Sequence, residues 1–205
     1  MLRRLLVLPP VCVAALALAS CGGGEQGSPA ATDKPTSVAT SNAPTTRVAP
    51  PLTAPALDTT SFEKNPCTLL RDDQLTQFGP RKPSTSQNGL TGPGCVWRPE
   101  DPTVGTRVAV DINTKSGGLE GIYQRRDKYG YFQETEVGGY PGVHAIDWRD
   151  APSHGNCTSL IGVSKDRLIV TYVTIPRKTD PDYETACGAS DRVAGMVIEN
   201  LKGAR

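Results

Sequence analysis

What the chain lacks most is charge of one sign. Its 22 lysines and arginines are met by 21 aspartates and glutamates, for a formal net charge of +1. From Phe62 onward the balance is even, 18 against 18. A protein that grips nucleic acid through its phosphates needs a basic face, so no nucleic-acid partner is expected. The local run Arg125, Arg126, Lys128 falls in an expected helix and reads as its solvated side. Aromatic residues are scarce at 5%, and there are two histidines, His144 and His154. Neither histidine has a ligand-type neighbour at zinc-site spacing and no Cys-x-x-Cys pair exists, so no metal or other cofactor is expected. A Gly-x-Ser-x-Gly elbow is missing, and Gly138-Gly139 and Gly92-Pro93-Gly94 do not follow a phosphate-loop pattern.

Long apolar runs are missing too. The longest, Leu5 to Ala19, has 15 residues and is broken by Pro9 and Pro10. A membrane-spanning helix needs about 20. With Arg3 and Arg4 before it, this run has the form of a secretory signal. It closes on Leu18-Ala19-Ser20-Cys21, where small residues precede a thiol. That pattern predicts a lipoprotein signal over residues 1–20, with Cys21 acylated (palmitate-type chains) and becoming the mature N-terminus. Acyl chains bury methylenes at about 0.8 kcal/mol each, so two or more hold a protein at a membrane durably. The expected location is the outer face of the cytoplasmic membrane, and the membrane is the first expected partner.

Residues 21–61 carry Gly22-Gly23-Gly24, six prolines, many Ser and Thr, and few large apolar side chains. Such a stretch buries too little surface to offset its ordering entropy and is expected to be a disordered tether. Forty such residues span on the order of 35 Å. Residues 62–205 have the size of one domain.

Four cysteines lie in that domain: Cys67, Cys95, Cys157 and Cys187. In an exported protein an even number reads as disulfides. Three pairings are open. Cys67 with Cys95 and Cys157 with Cys187 is preferred, because each closes a modest loop within one half of the domain.

Asn65-Pro66 opens an expected helix that stops at Gly79. A Pro-, Ser- and Gly-rich loop follows to Gly94. Cys95-Val96-Trp97 starts a strand, with Trp97 expected in the core beside the first disulfide. Arg107 to Asn113 alternates strictly and predicts a half-buried strand. Helical spacing of Leu119, Ile122 and Tyr123 places a short helix near 118–128. Strands are expected at Phe132–Val137, Val143–Trp148, Cys157–Val163 and Leu168–Ile175, with a turn or bulge spanning Val137 to Gly142. Cys187, Ser190, Ala194, Val197 and Leu201 mark one face of a last helix, ending near Gly203. Hairpin-linked strands with helices packed on them make an α+β domain built on an antiparallel sheet.

The lipobox, the tether, Asn65-Pro66-Cys67-Thr68-Leu69-Leu70, Cys95-Val96-Trp97, and the late Cys157 and Cys187 together resemble the actinobacterial lipoproteins carrying domain of unknown function 3558. That resemblance implies export, lipidation, an envelope location and a fold similar to the Mog1/PsbP type of α/β/α sandwich. It carries no established activity, so no catalytic residue is implied.

Candidate chemistry is sparse. Ser153-His154 beside Asp150 or Asp147 has the residue types of a hydrolase, but sequence neighbours do not make a triad. Glu134 and Glu136 share a strand face and read as charges guarding a sheet edge rather than as a glycosidase pair. Trp148, Tyr140 and Tyr131 are the candidate binding residues, with core packing as the competing role. The expected function is a non-enzymatic binding or accessory module of the envelope, engaging a small ligand or another envelope protein. The alternatives are a wall- or lipid-modifying enzyme, which would place His144 or His154 in a pocket beside a carboxylate or serine, and a structural or immunity-type surface protein.

Overall fold

The computed structural model describes residues 47–204. Seven strands run β1 (Thr85–Asn88), β2 (Pro93–Trp97), β3 (Arg107–Asn113), β4 (Tyr131–Val137), β5 (Tyr140–Ile146), β6 (Asn156–Gly162) and β7 (Leu168–Thr174). They form one sheet in the order β1-β2-β3-β7-β6-β5-β4, with every neighbouring pair antiparallel. The α+β class with an antiparallel sheet is therefore present. The signal-peptide residues and Cys21 lie outside the described residues.

Four α-helices accompany the sheet: α1 (Thr60–Lys64), α2 (Asp72–Leu75), α3 (Gly118–Tyr123) and α4 (Ala186–Gly203). The long α4 packs on one face against β6 and β7. Its Ala186, Ala189, Val193, Ala194, Val197, Ile198 and Leu201 are buried with Val108, Val110, Ile112, Ile161, Ile169 and Val173 of the sheet. Leu69, Leu70 and Trp97 extend that core toward β2, and Trp97 does lie beside Cys95. On the opposite face Leu119, Ile122 and Tyr123 of α3 cover Val143, Leu160, Leu168 and Val170. The sheet is thus covered on both sides. For this reason β3 is buried along almost its whole length, where its alternation alone predicts a half-buried strand.

The first expected helix is instead four short pieces: α1, a 3-10 turn at Pro66–Leu69, α2, and a 3-10 turn at Thr76–Phe78. The break falls at Leu70, which is extended (φ −127°, ψ 141°). That extension lets Leu69 and Leu70, adjacent in sequence, both enter the core. Gly79 ends the run at φ +85°. The expected turn over Val137–Gly142 contracts to Gly138 and Gly139, at φ +60° and +87°. Two successive positive φ values match the twist of a two-residue hairpin, so β5 starts at Tyr140. The strand β1 was not expected: Thr85-Ser86-Gln87-Asn88 has no apolar residue and all four are exposed at the sheet edge.

Of the stretch expected as a tether over residues 21–61, the described part, from Arg47, belongs to the folded domain. Ala49, Leu57 and Thr59 are buried. Val48 and Ala49 donate their backbone N–H groups to the Glu120 carboxylate at 3.0–3.2 Å. Leu57 N–H reaches Val163 O at 2.9 Å, and the Tyr140 hydroxyl donates to Pro55 O at 2.8 Å. Every element among the described residues, both cores and both disulfides lie within Pro44–Arg205, which forms a compact unit by itself.

Candidate functional site

Cys67 is bonded to Cys95, and Cys157 to Cys187. The first bridge ties the Pro66–Leu69 turn to β2, and the second ties the start of α4 to β6. Beside the second bridge runs a polar seam. His144 pairs with Ser159, and Ser159 with Thr171, so the three form one row across β5, β6 and β7. All three point at α4 and all are buried.

The helix answers with two consecutive polar residues. Ser190 and Thr171 bond each other through their hydroxyls at 2.8 Å. Asp191 receives His144 Nε2 at 2.9 Å, Ser159 Oγ at 2.7 Å and Thr135 Oγ1 at 3.0 Å. Burial pushes the Asp191 carboxyl up, but the bonds from His144, Ser159 and Thr135 outweigh it and hold the group below its ordinary value. His144 Nδ1 is buried without a hydrogen-bond partner among the described residues.

The seam contains a serine, a histidine and an aspartate, yet in the wrong order for acyl transfer. A nucleophilic triad has histidine in the middle, taking the serine proton. Here aspartate is the hub and both other groups donate to it. A ring nitrogen of His144 and the sulfurs of Cys157 and Cys187 lie within 4.8 Å of one another. Those sulfurs are bonded together and present no thiolates, so the group does not form a metal site as it stands.

The other histidine sits on an exposed turn. His154 Nδ1 is 2.8 Å from the Asp150 carbonyl and 3.3 Å from Ser153 Oγ, while Ser153 donates to the same carbonyl. Its partner is backbone, and neither the Asp150 nor the Asp147 carboxylate orients it. Trp148, 46% exposed, packs against His154 with ring centroids 5.6 Å apart and the rings tilted by 54°.

The three candidate aromatic residues do not line one groove. Tyr140 is buried and spends its hydroxyl on Pro55. Tyr131 bonds Gln133 and sits on β4 opposite Ile146, the far end of the hairpin from Tyr140. Glu134 and Glu136 lie on β4, which is an edge strand.

Open surface elsewhere is shaped into clefts that the sequence did not single out. One, of about 440 Å³, lies between α2 and Pro80–Ser84 with Trp97 at its base. Its Arg81 is committed to the carbonyls of Leu75, Phe78 and Trp97 at 3.0–3.4 Å, and burial lowers its pKa to about 10. A second, of about 360 Å³, is walled by Pro99, Pro102 and Pro176 and rimmed by Lys82, Arg98 and Arg107. A third, of about 260 Å³, opens on the α3 face beside Tyr129 and Tyr172. Asp111 lies on β3 between Arg107, which lines the second, and Asn113, which lines the third. Burial raises its carboxyl above the ordinary value, against hydrogen bonds from Gln87 and Tyr172. Gly94 opposite is what makes room, since a Cβ there would sit 1.7 Å from Asp111 Oδ1.

A family model described as "Protein of unknown function (DUF3558)" matches residues 16–200. The chain belongs to that family. No curated protein matches it. Membership of DUF3558 brings no catalytic or binding residue, so the functional reading rests on the geometry above. No helix among the described residues is long and apolar enough to cross a membrane.

Proposed function

We propose that this protein is an exported, lipid-anchored binding module of the cell envelope, held at the outer face of the cytoplasmic membrane through Cys21. The observation that carries the reading is the pair of disulfides. Each joins a helical segment to the sheet, and such bonds persist in oxidising compartments outside the cytosol. The family match supports the anchor, because it begins at residue 16 and so includes Leu18-Ala19-Ser20-Cys21. Helices on both faces of an antiparallel sheet support a Mog1/PsbP-like sandwich.

Binding is favoured over wall or lipid chemistry by where the reactive side chains are spent. Ser159 and His144 both donate to Asp191 beneath α4, and Ser153 and His154 meet the Asp150 carbonyl. By contrast the cationic side chains around the proline-walled cleft have no acidic partner on its lining.

The test is intact mass of the protein isolated from membranes, before and after reduction. Cleavage before Cys21, acyl chains on that residue, and a mass gain of two hydrogen atoms per reduced disulfide are expected. Cys21→Ser should release the protein from the membrane fraction. An unmodified Cys21 on a chain still carrying residues 1–20 would overturn the anchor, and free thiols at Cys67 or Cys157 would overturn export.

A further inference from the structure

We infer that the cleft between the β2 and β7 ends binds an organic anion with an apolar body, such as an alkyl phosphate or carboxylate. The inference rests on the binding-module reading and gives that module a ligand class. The cleft is lined by Lys82, Arg98, Pro99, Pro102, Arg107 and Pro176, with Gly105 and Thr174. Its volume of about 360 Å³ is at the small end of sites that hold compact organic ligands.

The backbone builds it deliberately. Lys82 N–H donates to Arg98 O at 2.9 Å, and Arg81 pairs with Pro99 as an isolated bridge. These contacts bring Lys82, sixteen residues upstream, beside Arg98. Arg107 is delivered by the register of β3 against β7, where it faces Thr174. The Asp101–Gly105 turn closes the wall, with Gly105 N–H on Asp101 O at 2.9 Å. Only glycine fits at 105, because a Cβ there would come within 2.4 Å of Pro99 Cβ.

Charge decides the ligand. Three cations rim the cleft, no acidic residue lines it, and none of the three forms an ion pair among the described residues. Asp101, in the turn that closes the wall, gives its carboxyl to Thr103, and Asp111 feels Arg107 but gives its carboxyl to Gln87 and Tyr172. Elsewhere on the domain cations do find carboxylates, as Arg167 does with Glu63 and Arg192 with Asp182. Like charges gathered around an apolar cleft focus a positive potential into it. The prolines and aliphatic stems offer apolar contact, and the guanidinium groups offer paired N–H donors to a phosphate or carboxylate. The cleft therefore selects for a negative head and an apolar tail together.

The test uses the compact unit Pro44–Arg205 with both disulfides intact. Octyl phosphate is titrated below its micelle concentration and followed by amide NMR and calorimetry, alongside octanol and glycerol phosphate. Saturable binding of octyl phosphate is expected, with the largest shifts at Gly105, Arg107 and Thr174, and weaker binding of both controls. Arg98→Gln and Lys82→Gln should each weaken binding about tenfold, the usual scale of one lost charge-assisted bond. Lys115→Gln and Lys165→Gln, remote from the lining, should leave it unchanged. Vesicles of phosphatidylglycerol and phosphatidylcholine separate the sources: recruitment that drops in Arg98→Gln assigns a membrane lipid, and no recruitment assigns a soluble anion. Octanol binding as tightly as octyl phosphate, or shifts centred on Tyr129 and Tyr172, would overturn the site. Acylation of Cys21 is read separately by mass, so loss of this site leaves the anchor untouched.

Discussion

His144 on β5 donates to Asp191 on α4 across 2.9 Å of buried helix–sheet boundary. Ser159 and Thr135 converge on the same carboxylate, so Asp191→Ala strands three donors. His144 and Ser159 are buried and Thr135 is half-buried; each buried donor left unsatisfied costs about 1–3 kcal/mol, so a loss of about 2 kcal/mol or more is expected. Asp191→Asn keeps an acceptor oxygen and should lose less. Urea unfolding of the two variants measures the difference.

The same carboxylate sets a slope against pH. Its folded pKa lies below the ordinary value because the three donors outweigh burial. Its stabilisation is therefore complete above the unfolded carboxylate pKa, about 4, and is lost as pH falls through the lower folded value. Unfolding free energies between pH 2 and 6 should show this fall in the wild type and a shallower one in Asp191→Asn.

Asp111 works in the opposite sense. Its folded pKa is raised, first by burial, so the folded state holds its proton longer. Stability should drop as pH climbs from the ordinary carboxylate value to the raised one. Asp111→Asn removes that drop. It should also bring Tyr172 back toward the ordinary tyrosine range, since burial and then the Asp111 charge push that phenol up. Ultraviolet titration of the phenols reads this directly.

The sequence exposes these features unevenly. The alternation of β3, the hairpin glycines and the apolar face of α4 each lie within a few adjacent residues, so local periodicity reveals them. The cysteine loops are likewise local. The Asp191 hub is not, because its donors come from β4, β5 and β6, and an aspartate beside Ser190 on a helix reads as solvated. Strand β1 has no alternation to detect; backbone pairing with the edge of β2 organises it, and Gln87 adds a side-chain bond to Asp111. The proline-walled cleft draws on residues from 82 to 176, which only the fold brings together.

Both disulfides close loops of nearly equal length, 28 and 30 residues. If the bond acts through the unfolded chain, removing either should cost about 3–4 kcal/mol. Paired serine variants, Cys67→Ser with Cys95→Ser and Cys157→Ser with Cys187→Ser, test this by denaturation. Nearly equal losses are expected. A much larger loss for the second pair would mean that its native contacts to α4 dominate.

Glu120 holds the N-terminal strap. Its carboxyl sits below the ordinary value, chiefly through the backbone N–H groups of Ala49 and then Val48. Glu120→Ala should abolish hydrogen-exchange protection at those two amides while the melting temperature barely moves. Acid should mimic the variant only below the ordinary carboxylate range, with protection lost as the carboxylate takes up its proton.

The seam under α4 also governs how many ways the domain can pack. An apolar stripe tolerates sliding, because one leucine-sized hollow resembles the next. With the Cys187 bond holding the helix start in place, a swing or rotation of the helix about that attachment would pull Ser190 from Thr171 and Asp191 from His144. Neither oily contact nor covalent bond alone enforces a single seating of the helix; the paired hydroxyls and the shared carboxylate supply the notch into which it locks.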